Sequence, residues 1–206
     1  MTTMTTDDIR ELYNERAHEY QDKSWLLEGM LRGNKLRHRL FGRATGRVLD
    51  VACGTGVNFP HLTQAEEIVG VELSSAMLKL AEQRATEVST PVTLHEMDAT
   101  QLQFPDASFD TVTSALSTCT FPDPVAVLRE MARVCKPDGQ ILLFEHGRSR
   151  WGWLAWIQDR TAQSHYNNAG CRWNQDPLAL VRAAGLQLVE AERHLAGVFH
   201  TIIIAS

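Results

Sequence analysis

Two carboxylates and a pair of glycines between positions 50 and 72 are the residues best placed to do chemistry. Asp50 lies inside the apolar run 48–51, whose length and branching predict a buried strand, and the chain then breaks at Gly54 and Gly56. Glu72 ends the next predicted strand. A strand followed by a glycine turn presents a ligand at the carboxyl end of an α/β sheet, and glycine lets the backbone approach that ligand closely. The stretch 47–60 is therefore predicted to be a ligand-binding loop.

The residues that this loop lacks narrow the class of ligand. A dinucleotide-binding loop has the pattern Gly-x-Gly-x-x-Gly, and Phe59 stands where the third glycine is needed. A P-loop needs a lysine, and residues 50–60 contain none. Asp50 is instead suited to a cationic or amine-bearing ligand, and Glu72 to a ribose, because a carboxylate accepts two hydrogen bonds side by side. A ligand with a ribose, a positive charge and no phosphate fits S-adenosylmethionine (SAM).

The motifs around this loop carry a resemblance to a known family. In chain order they are Asp50-x-x-x-Gly54-x-Gly56, Glu72, Met97-Asp98-Ala99 and Phe104-Pro105-Asp106-x-x-Phe109-Asp110. This set resembles the class I SAM-dependent methyltransferases, in their UbiE-like branch, from about Tyr13 to the C-terminus. The resemblance implies a Rossmann-like α/β fold and an enzyme that uses SAM and releases S-adenosyl-L-homocysteine.

The order of predicted elements favours the same fold. Residues 6–42 lack strand-like alternation and are predicted to be helical, with a second helix over 26–41. Strands are predicted at 47–52, 68–72, 92–97, 109–114 and 140–145, separated by helices that begin after Ser74 and Asp123. A helix after Asp176 and a hairpin over 186–193 and 198–205 end the chain. Strand–helix alternation requires parallel pairing with helices on both faces. We expect a doubly wound, mostly parallel seven-stranded sheet with a final antiparallel strand at its edge.

The 206 residues suit one domain with a sizeable core. We divide this single methyltransferase domain into an N-terminal helical cover (1–45), a SAM-binding core (46–146), and a substrate-cover segment with the last strand pair (147–206).

Composition excludes several classes of partner. A net charge of -5 argues against nucleic acid, which usually binds a basic face. The N-terminus is polar and acidic, and the longest apolar runs are strand-sized, so we expect neither a targeting peptide nor a transmembrane segment. Cysteines 53, 119, 135 and 171 show no C-x-x-C pair and no metal-binding spacing, which indicates reduced thiols in a cytoplasmic protein that holds no metal. The expected partner is a small-molecule methyl acceptor.

The resemblance also implies which residues bind the cofactor. Those implied to surround the methionine part of SAM are Asp50, Ala52, Gly54, Gly56, Asn58, Ser114 and Ala115. Those implied to hold the ribose and the adenine are Glu72, Leu73, Met77, Asp98 and Ala99. Tyr13 and Tyr20 lie on the opening helix, which in such enzymes folds over the cofactor. The alternatives are an N-cap role for Asp98, a surface salt bridge for Glu72, and packing of the tyrosines on the sheet edge.

A tryptophan-rich segment is the expected source of substrate contacts. Four of the five tryptophans fall between positions 151 and 173, in the part of the chain that follows the fifth strand. We expect Trp151, Trp156 and Trp173 to cover a substrate pocket together with Cys119. An ordinary packed helix, a homodimer contact and a membrane-surface contact are the alternatives, because tryptophan is enriched at both kinds of interface.

The C-terminal third carries a narrower resemblance. Glu145-His146, Gln158, His165 and Gly170-Cys171 resemble the methyltransferase-like protein 7 family of thiol S-methyltransferases, whereas Arg172-Trp173-Asn174 departs from that family's pattern. His146 is the first candidate for catalysis, because a histidine at a strand end over the cofactor titrates near neutral pH. A structural hydrogen bond is its alternative role, and His165 and Asp159 are the next candidates.

The predicted activity is therefore methylation of sulfide or a small thiol. Its alternatives are C-methylation of a quinone precursor and N-methylation of a phospholipid head group. A SAM-binding regulatory protein without turnover is the alternative outside the enzymes.

Overall fold

The computed structural model describes the backbone of residues 3–30 and 33–205 and the side chains of residues 3–19 and 33–205. Within these ranges, strands and helices alternate after an N-terminal helical segment. The helices are α1 (Thr6–Met30), α2 (Gly33–Phe41), α3 (Ser75–Ala85), α4 (Pro124–Val134), α5 (Gly152–Ala169) and α6 (Pro177–Ala183). The strands are β1 (Thr45–Val51), β2 (Gln64–Glu72), β3 (Val92–Glu96), β4 (Phe109–Ala115), β5 (Cys135–His146), β6 (Gln187–His194) and β7 (Phe199–Ala205).

The strands form one sheet in the order β3-β2-β1-β4-β5-β7-β6. Pairing is parallel from β3 to β5, and β7 is antiparallel to both of its neighbours. The predicted doubly wound, mostly parallel sheet with a final antiparallel strand is confirmed. The antiparallel strand was expected at the edge of the sheet. It lies one position inside the edge, because β7 inserts between β5 and β6. Strand order reverses between β1 and β4, which is where open α/β sheets bind their ligands.

Alternate residues of the central strands bury two apolar faces. Val48 belongs to the cluster that packs with Phe41 of α2 and Leu78 of α3, whereas Leu49 belongs to the cluster that packs with Met131 of α4. This alternation follows from the two-residue period of a strand. Because both faces are covered by helices, the carboxyl ends of the strands are left as the place where loops can form a site.

Three helices begin where side-chain caps were predicted. Ser74 Oγ accepts a hydrogen bond from the Met77 amide at 3.2 Å, and Asp123 Oδ1 accepts one from the Ala126 amide at 2.9 Å. Asp176 Oδ1 likewise accepts from the amide of Leu178 at 3.0 Å. Each cap satisfies one of the amides that a helix N-terminus leaves unpaired.

Two boundaries differ from the sequence prediction. The helix α1 runs through position 26, where a second helix was predicted to begin, and α2 begins only at Gly33. The strand β5 begins at Cys135 instead of 140, because its first residue pairs with Phe109 before the register shifts to Thr111 opposite Gln140. The turn predicted at Pro137-Asp138-Gly139 is thus an irregularity inside a longer strand and does not separate two elements.

The helix α1 is fixed against the site by one polar contact. Asn14 Oδ1 accepts hydrogen bonds from Ser74 Oγ at 2.7 Å and from the Ala76 amide at 3.2 Å. This places the N-terminal half of α1 at the beginning of α3, beside the carboxyl end of β2. Although α1 has 25 residues, neither it nor any other helix of the described chain has the apolar length that a membrane crossing requires.

Candidate active site

An open cavity of about 1020 Å³, counted to its mouth, lies at the carboxyl ends of β1, β2 and β4. Its wall combines the glycine loop after β1, the loops after β2, β3 and β4, and residues of α1 and α2. Two wall residues that directly follow strands, Ala52 and Leu116, have positive φ values of 52° each. Non-glycine residues in this left-handed region are uncommon and cluster at functional sites.

The glycine loop has the geometry that its glycines permit. Gly56 has a φ of +76°, and a Cβ at this position would meet the Phe59 ring at 2.5 Å. Gly54 has a φ of +56° and lines the cavity, and a Cβ there would meet no atom within 4 Å. Gly56 is therefore needed for packing inside the loop, and Gly54 leaves open the space into which a ligand fits.

The Glu72 carboxylate lies in the cavity wall and holds the glycine loop in place. Its Oε2 accepts a hydrogen bond from the Gly54 amide at 3.0 Å, and its Oε1 accepts from the amides of Leu73 and Ser74 at 2.9 Å each. Burial raises the pKa of Glu72, while these backbone bonds lower it. Oε2 carries one hydrogen bond and keeps a second lone pair toward the cavity, which fits a ribose hydroxyl. The alternative of a surface salt bridge does not apply, because the side chain is buried and bonds to backbone amides.

Asp50 lies behind the cavity wall and not in it. Its carboxylate is fully buried and accepts hydrogen bonds from Asn58 Nδ2 at 2.9 and 3.1 Å and from Thr113 Oγ1 at 2.8 Å. The expectation that Asp50 itself holds the cationic part of the ligand is corrected, because Asn58 lines the cavity in its place. Asp50 orients the Asn58 side chain, and its negative charge lies directly behind that side chain.

Arg37 of α2 is a cavity residue that sequence reasoning missed. Its side chain is buried, donates a hydrogen bond to Asn58 Oδ1, and places its guanidinium over the Phe144 ring at 5.1 Å from the centroid. It also lines the cavity, where a guanidinium can bind a carboxylate such as that of a methionine group. No local pattern distinguishes Arg37 from the neighbouring arginines of the same helix, so no sequence signal identifies it.

Asp50 gives a prediction about pH. Burial raises the pKa of Asp50 from 3.8 to about 6, against the hydrogen bonds from Asn58 and Thr113 and the charge of Arg37. A raised pKa means that this group's contribution to stability is complete below the unfolded value and is lost as pH rises through the folded value. Between acid and neutral pH, Asp50→Asn should therefore gain about 3 kcal/mol of unfolding free energy relative to the parent protein. Urea unfolding of both proteins at each pH measures the difference.

The difference between the two proteins isolates Asp50 from the other buried carboxylates. Glu72 and Glu145 are present in both proteins, so their contributions to the pH dependence of stability cancel. If the two proteins show parallel pH profiles, Asp50 does not titrate in this window.

The adenine side of the cavity contains the residues that the resemblance implied. Leu73, Met77, Asp98 and Ala99 all line it. Asp98 Oδ1 accepts hydrogen bonds from the Thr100 amide at 2.9 Å and from Thr100 Oγ1 at 2.8 Å. These bonds fix the carboxylate in a local turn, in place of the suggested N-cap role.

The remaining cofactor candidates divide between the cavity wall and its support. Tyr13, Ala52 and Ala115 line the cavity, and the Tyr13 hydroxyl donates to the Ala169 carbonyl at 3.4 Å. Gly56 and Ser114 are buried behind the wall, where Ser114 Oγ donates to the Val51 carbonyl at 2.8 Å. The side chain of Tyr20 lies outside the described residues.

The catalytic candidates do not line the cavity. His146 Nε2 lies 3.0 Å from Cys171 Sγ, and the His165 ring stacks on Trp173 with centroids 4.8 Å apart. Cys119 Sγ belongs to the same cluster as the His146 and Cys171 side chains. Asp159 is exposed and forms an ion pair with Arg148 at 2.8 Å.

The predicted pocket cover also divides. Trp151 and Trp156 are 57% and 64% exposed and are absent from the cavity wall. Their expected role as substrate contacts is therefore not supported, since neither indole faces the space where an acceptor binds. Trp173 packs inside, and its Nε1 donates to the Gln158 carbonyl at 3.1 Å.

The thiols of the cluster have unequal proton affinities. The hydrogen bond from the Cys119 thiol, with further contacts from His146 and His165, lowers the pKa of Cys171 to about 4 against the effect of burial. The same contact with Cys171, followed by burial, raises the pKa of Cys119. This side-chain cluster lies directly behind the loop 117–121, three of whose residues line the cavity.

Comparison with known proteins identifies methyltransferases as relatives of this chain. Residues 49–143 match the family model described as a methyltransferase domain. The chain is 29% identical to the yeast Methyltransferase OMS1, mitochondrial, over 95% of this chain and 46% of that protein. It is 36% identical to the Phosphatidylethanolamine N-methyltransferase of Cereibacter sphaeroides over 64% of each chain. It is 35% identical to the Ubiquinone/menaquinone biosynthesis C-methyltransferase UbiE of Bdellovibrio bacteriovorus over 68% of this chain and 62% of that protein.

The chain thus spans less than two thirds of the length of each of these relatives. Among solved structures, that of the DhpI–SAH complex superposes with a TM-score of 0.73 and 19% identity, over 97% of this chain and 95% of that one. This likeness concerns the fold.

Proposed function

Because this chain carries a class I SAM-dependent methyltransferase domain, we propose that it transfers the methyl group of SAM to the sulfur of sulfide or a small thiol. The observation that carries the proposal is the composition of the cavity wall beyond the cofactor residues. SAM supplies an electrophilic methyl group on a positively charged sulfur. The residues of this chain then have to bind, orient and desolvate an acceptor next to it.

The acceptor side of the cavity offers no obvious general base. Its wall consists of aliphatic, aromatic and hydroxyl side chains from α1 and from the loop after β4, together with Arg37. Those residues are Thr6, Ile9, Tyr13, Leu116, Ser117, Thr120, Phe121 and Pro122. None of these described residues is a carboxylate or an imidazole, the side chains most often used to remove a proton.

A sulfur acceptor needs the least help from such a wall. A free thiol has a pKa near 8.5, so a few per cent is already thiolate at neutral pH, and the thiolate is an intrinsically strong nucleophile. The thiolate sulfur takes the methyl group and becomes a neutral thioether, or methanethiol where the acceptor is hydrosulfide, so no proton has to leave in that step. Because a negative and a positive charge cancel during the transfer, the apolar side chains of Ile9, Leu116 and Phe121 favour it over a charge-creating reaction.

A carbon acceptor on a quinone precursor is the second candidate. Two relatives favour it, since a Demethylmenaquinone methyltransferase of Bacillus licheniformis is 44% identical over 47% of this chain, and the UbiE protein also matches. An ionised hydroxylated ring is likewise an anion that needs no base in the transfer step. An amine acceptor is less favoured by the wall, because an amine that is protonated at neutral pH must lose a proton before it can attack.

The test is a product analysis over a panel of acceptors. The protein is incubated with SAM and, separately, with sulfide, small thiols, quinols and ethanolamine-headed lipids, and methylated products are identified by mass spectrometry. We expect S-methylated products to dominate (thioethers from the thiols and methanethiol from sulfide), with a rate that rises with pH as the acceptor ionises. The Gly54→Leu variant serves as the low-activity control, because its added side chain enters the cavity.

Each other outcome contradicts the proposal in a distinct way. Turnover of a quinol or an amine without S-methylated product would replace the sulfur acceptor by that class. Tight SAM binding without turnover of any acceptor would favour the regulatory alternative.

A further inference from the structure

Three side chains that are distant in sequence converge behind the cavity wall. Cys119 Sγ, His146 Nε2 and Cys171 Sγ all lie within 4.8 Å of one another, and the His146–Cys171 distance is 3.0 Å. They come from the loop after β4, the last residue of β5 and the loop after α5. We call these three residues the thiol–imidazole cluster.

The donor set of this cluster suits a thiophilic divalent metal. Thiolate and imidazole are the ligands of structural zinc, with Zn–S near 2.3 Å and Zn–N near 2.0–2.1 Å. Two ligand atoms of a tetrahedral zinc ion therefore lie about 3.3–3.8 Å apart. The separations in the cluster run from 3.0 Å to at most 4.8 Å, so side-chain adjustments of about 1 Å or less bring the three ligand atoms to that range.

His146 is placed with one ring nitrogen toward the thiols and the Trp173 backbone beside its ring. Its Nε2 faces Cys171, and the Trp173 backbone acts to raise its pKa. In zinc sites the second ring nitrogen of a histidine ligand characteristically faces a carbonyl or carboxylate, which fixes both the tautomer and the ring orientation.

A buried carboxylate beside the cluster has hydrogen-bond partners on only one of its two oxygens. Glu145 is fully buried, and its Oε1 accepts hydrogen bonds from the amides of Ser117 and Thr118 at 3.2 Å each. Its Oε2 is buried and has no hydrogen-bond partner among the described residues. A buried charge that is only partly paired is unfavourable. A metal ion on the neighbouring His146 would bring positive charge close to this carboxylate, although the two thiolate ligands make the net charge of the site zero.

We propose that Cys119, His146 and Cys171 bind a zinc ion, with an exogenous ligand in the fourth tetrahedral position. This site is independent of the proposed methyl transfer, because it lies outside the cavity and requires neither SAM nor an acceptor. It differs from the sequence prediction of reduced thiols without a metal, which rested on the absence of a local spacing motif.

The site would fix the acceptor wall of the cavity. The Arg172 amide donates to the Cys119 carbonyl at 3.0 Å, and Arg172 Nη1 donates to the Phe121 carbonyl at 2.8 Å. Zinc would therefore join the loop 170–175 to the loop 117–121, of which Phe121 faces the cavity.

The experiment measures metal directly on the full chain. The protein is purified without chelators, its zinc content is determined by mass spectrometry, and cobalt is then substituted for zinc. We expect one zinc per chain, together with the sulfur-to-cobalt charge-transfer bands and strong d–d bands of a tetrahedral thiolate site. Cys171→Ser and His146→Gln should each weaken zinc binding by more than about 100-fold, since even outer-sphere changes cost 10- to 100-fold.

Cys135→Ser is the matched control, because Cys135 is also a buried cysteine but lies outside the cluster. It should retain full zinc content. Parent protein without tetrahedral cobalt bands, or with zinc that survives both ligand variants, would overturn the proposal. A disulfide between Cys119 and Cys171, found by peptide mapping under non-reducing conditions, would also overturn it and would assign the pair to redox chemistry. These readouts do not depend on methyl transfer, so either proposal can fail alone.

Discussion

Gly54→Leu should weaken SAM binding by up to about 100-fold while the protein remains folded. A Cβ at this position meets no protein atom within 4 Å, so the added side chain enters the cavity without a clash in the protein itself. Any ligand then has to displace it, and overfilling a packed site typically costs 1–3 kcal/mol, or about 100-fold in affinity at the upper end. Isothermal titration calorimetry measures the affinity, and thermal unfolding confirms the fold.

Gly185→Leu separates this effect from backbone strain. Gly185 also has a left-handed φ, +79°, and a Cβ there also meets nothing within 4 Å, but it lies outside the cavity wall. Both variants should lose about 1–2 kcal/mol of stability from the left-handed conformation. Only Gly54→Leu should weaken SAM binding. If both variants bind SAM as the parent protein does, the glycine loop is not the cofactor site.

The parts of the fold that were predictable are those that local physics determines. The run 48–51 predicts a buried strand because three of its four residues are apolar and two of them are β-branched. Ser74, Asp123 and Asp176 mark helix beginnings through their own side-chain hydrogen bonds. Once strands and helices alternate, the right-handedness of strand–helix–strand connections leaves few possible topologies. The position of β7 in the sheet was harder to predict, because its insertion between β5 and β6 depends on pairing over long sequence separations.

The parts of the site that were missed depend on contacts between distant segments. Arg37 reaches the cavity only because α2 packs beneath Asn58, and the thiol–imidazole cluster joins residues 119, 146 and 171. Neither arrangement leaves a spacing in the sequence. Asp50 was recognised as important for the correct reason, its negative charge in a strand, but its side chain points to Asn58 and not to the cavity.

The tryptophans show the limit of composition as a guide. Enrichment between 151 and 173 suggested a cover, but a helix has several faces, and α5 buries Ala155 and Gln158 while Trp151 and Trp156 lie outside. Because composition does not state which face is buried, only the structure separates Trp173 from the others.

Arg37→Met should destabilise the protein by about 3 kcal/mol at neutral pH, because removing one member of a buried charge pair leaves the other uncompensated. Arg37 is 3% exposed and Asp50 is 0% exposed, and Asn58 bridges them by accepting from the arginine and donating to the carboxylate. Methionine preserves most of the apolar contact that the arginine stem makes, so the charge is the main change. Equilibrium urea unfolding gives the free energy at neutral pH and on the acid side of the Asp50 pKa.

The Asp50→Asn background identifies the origin of the loss. Since the Arg37 charge lowers the pKa of Asp50, its removal raises that pKa further, and the loss should shrink once acid protonates the carboxylate. In the double variant there is no buried anion to leave unpaired, so Arg37→Met should cost less than half as much there as in the parent protein. That difference is the coupling energy of the pair. Additive losses in the double variant, the same at both pH values, would instead mean that Arg37 stabilises the protein through its packing on Phe144 alone.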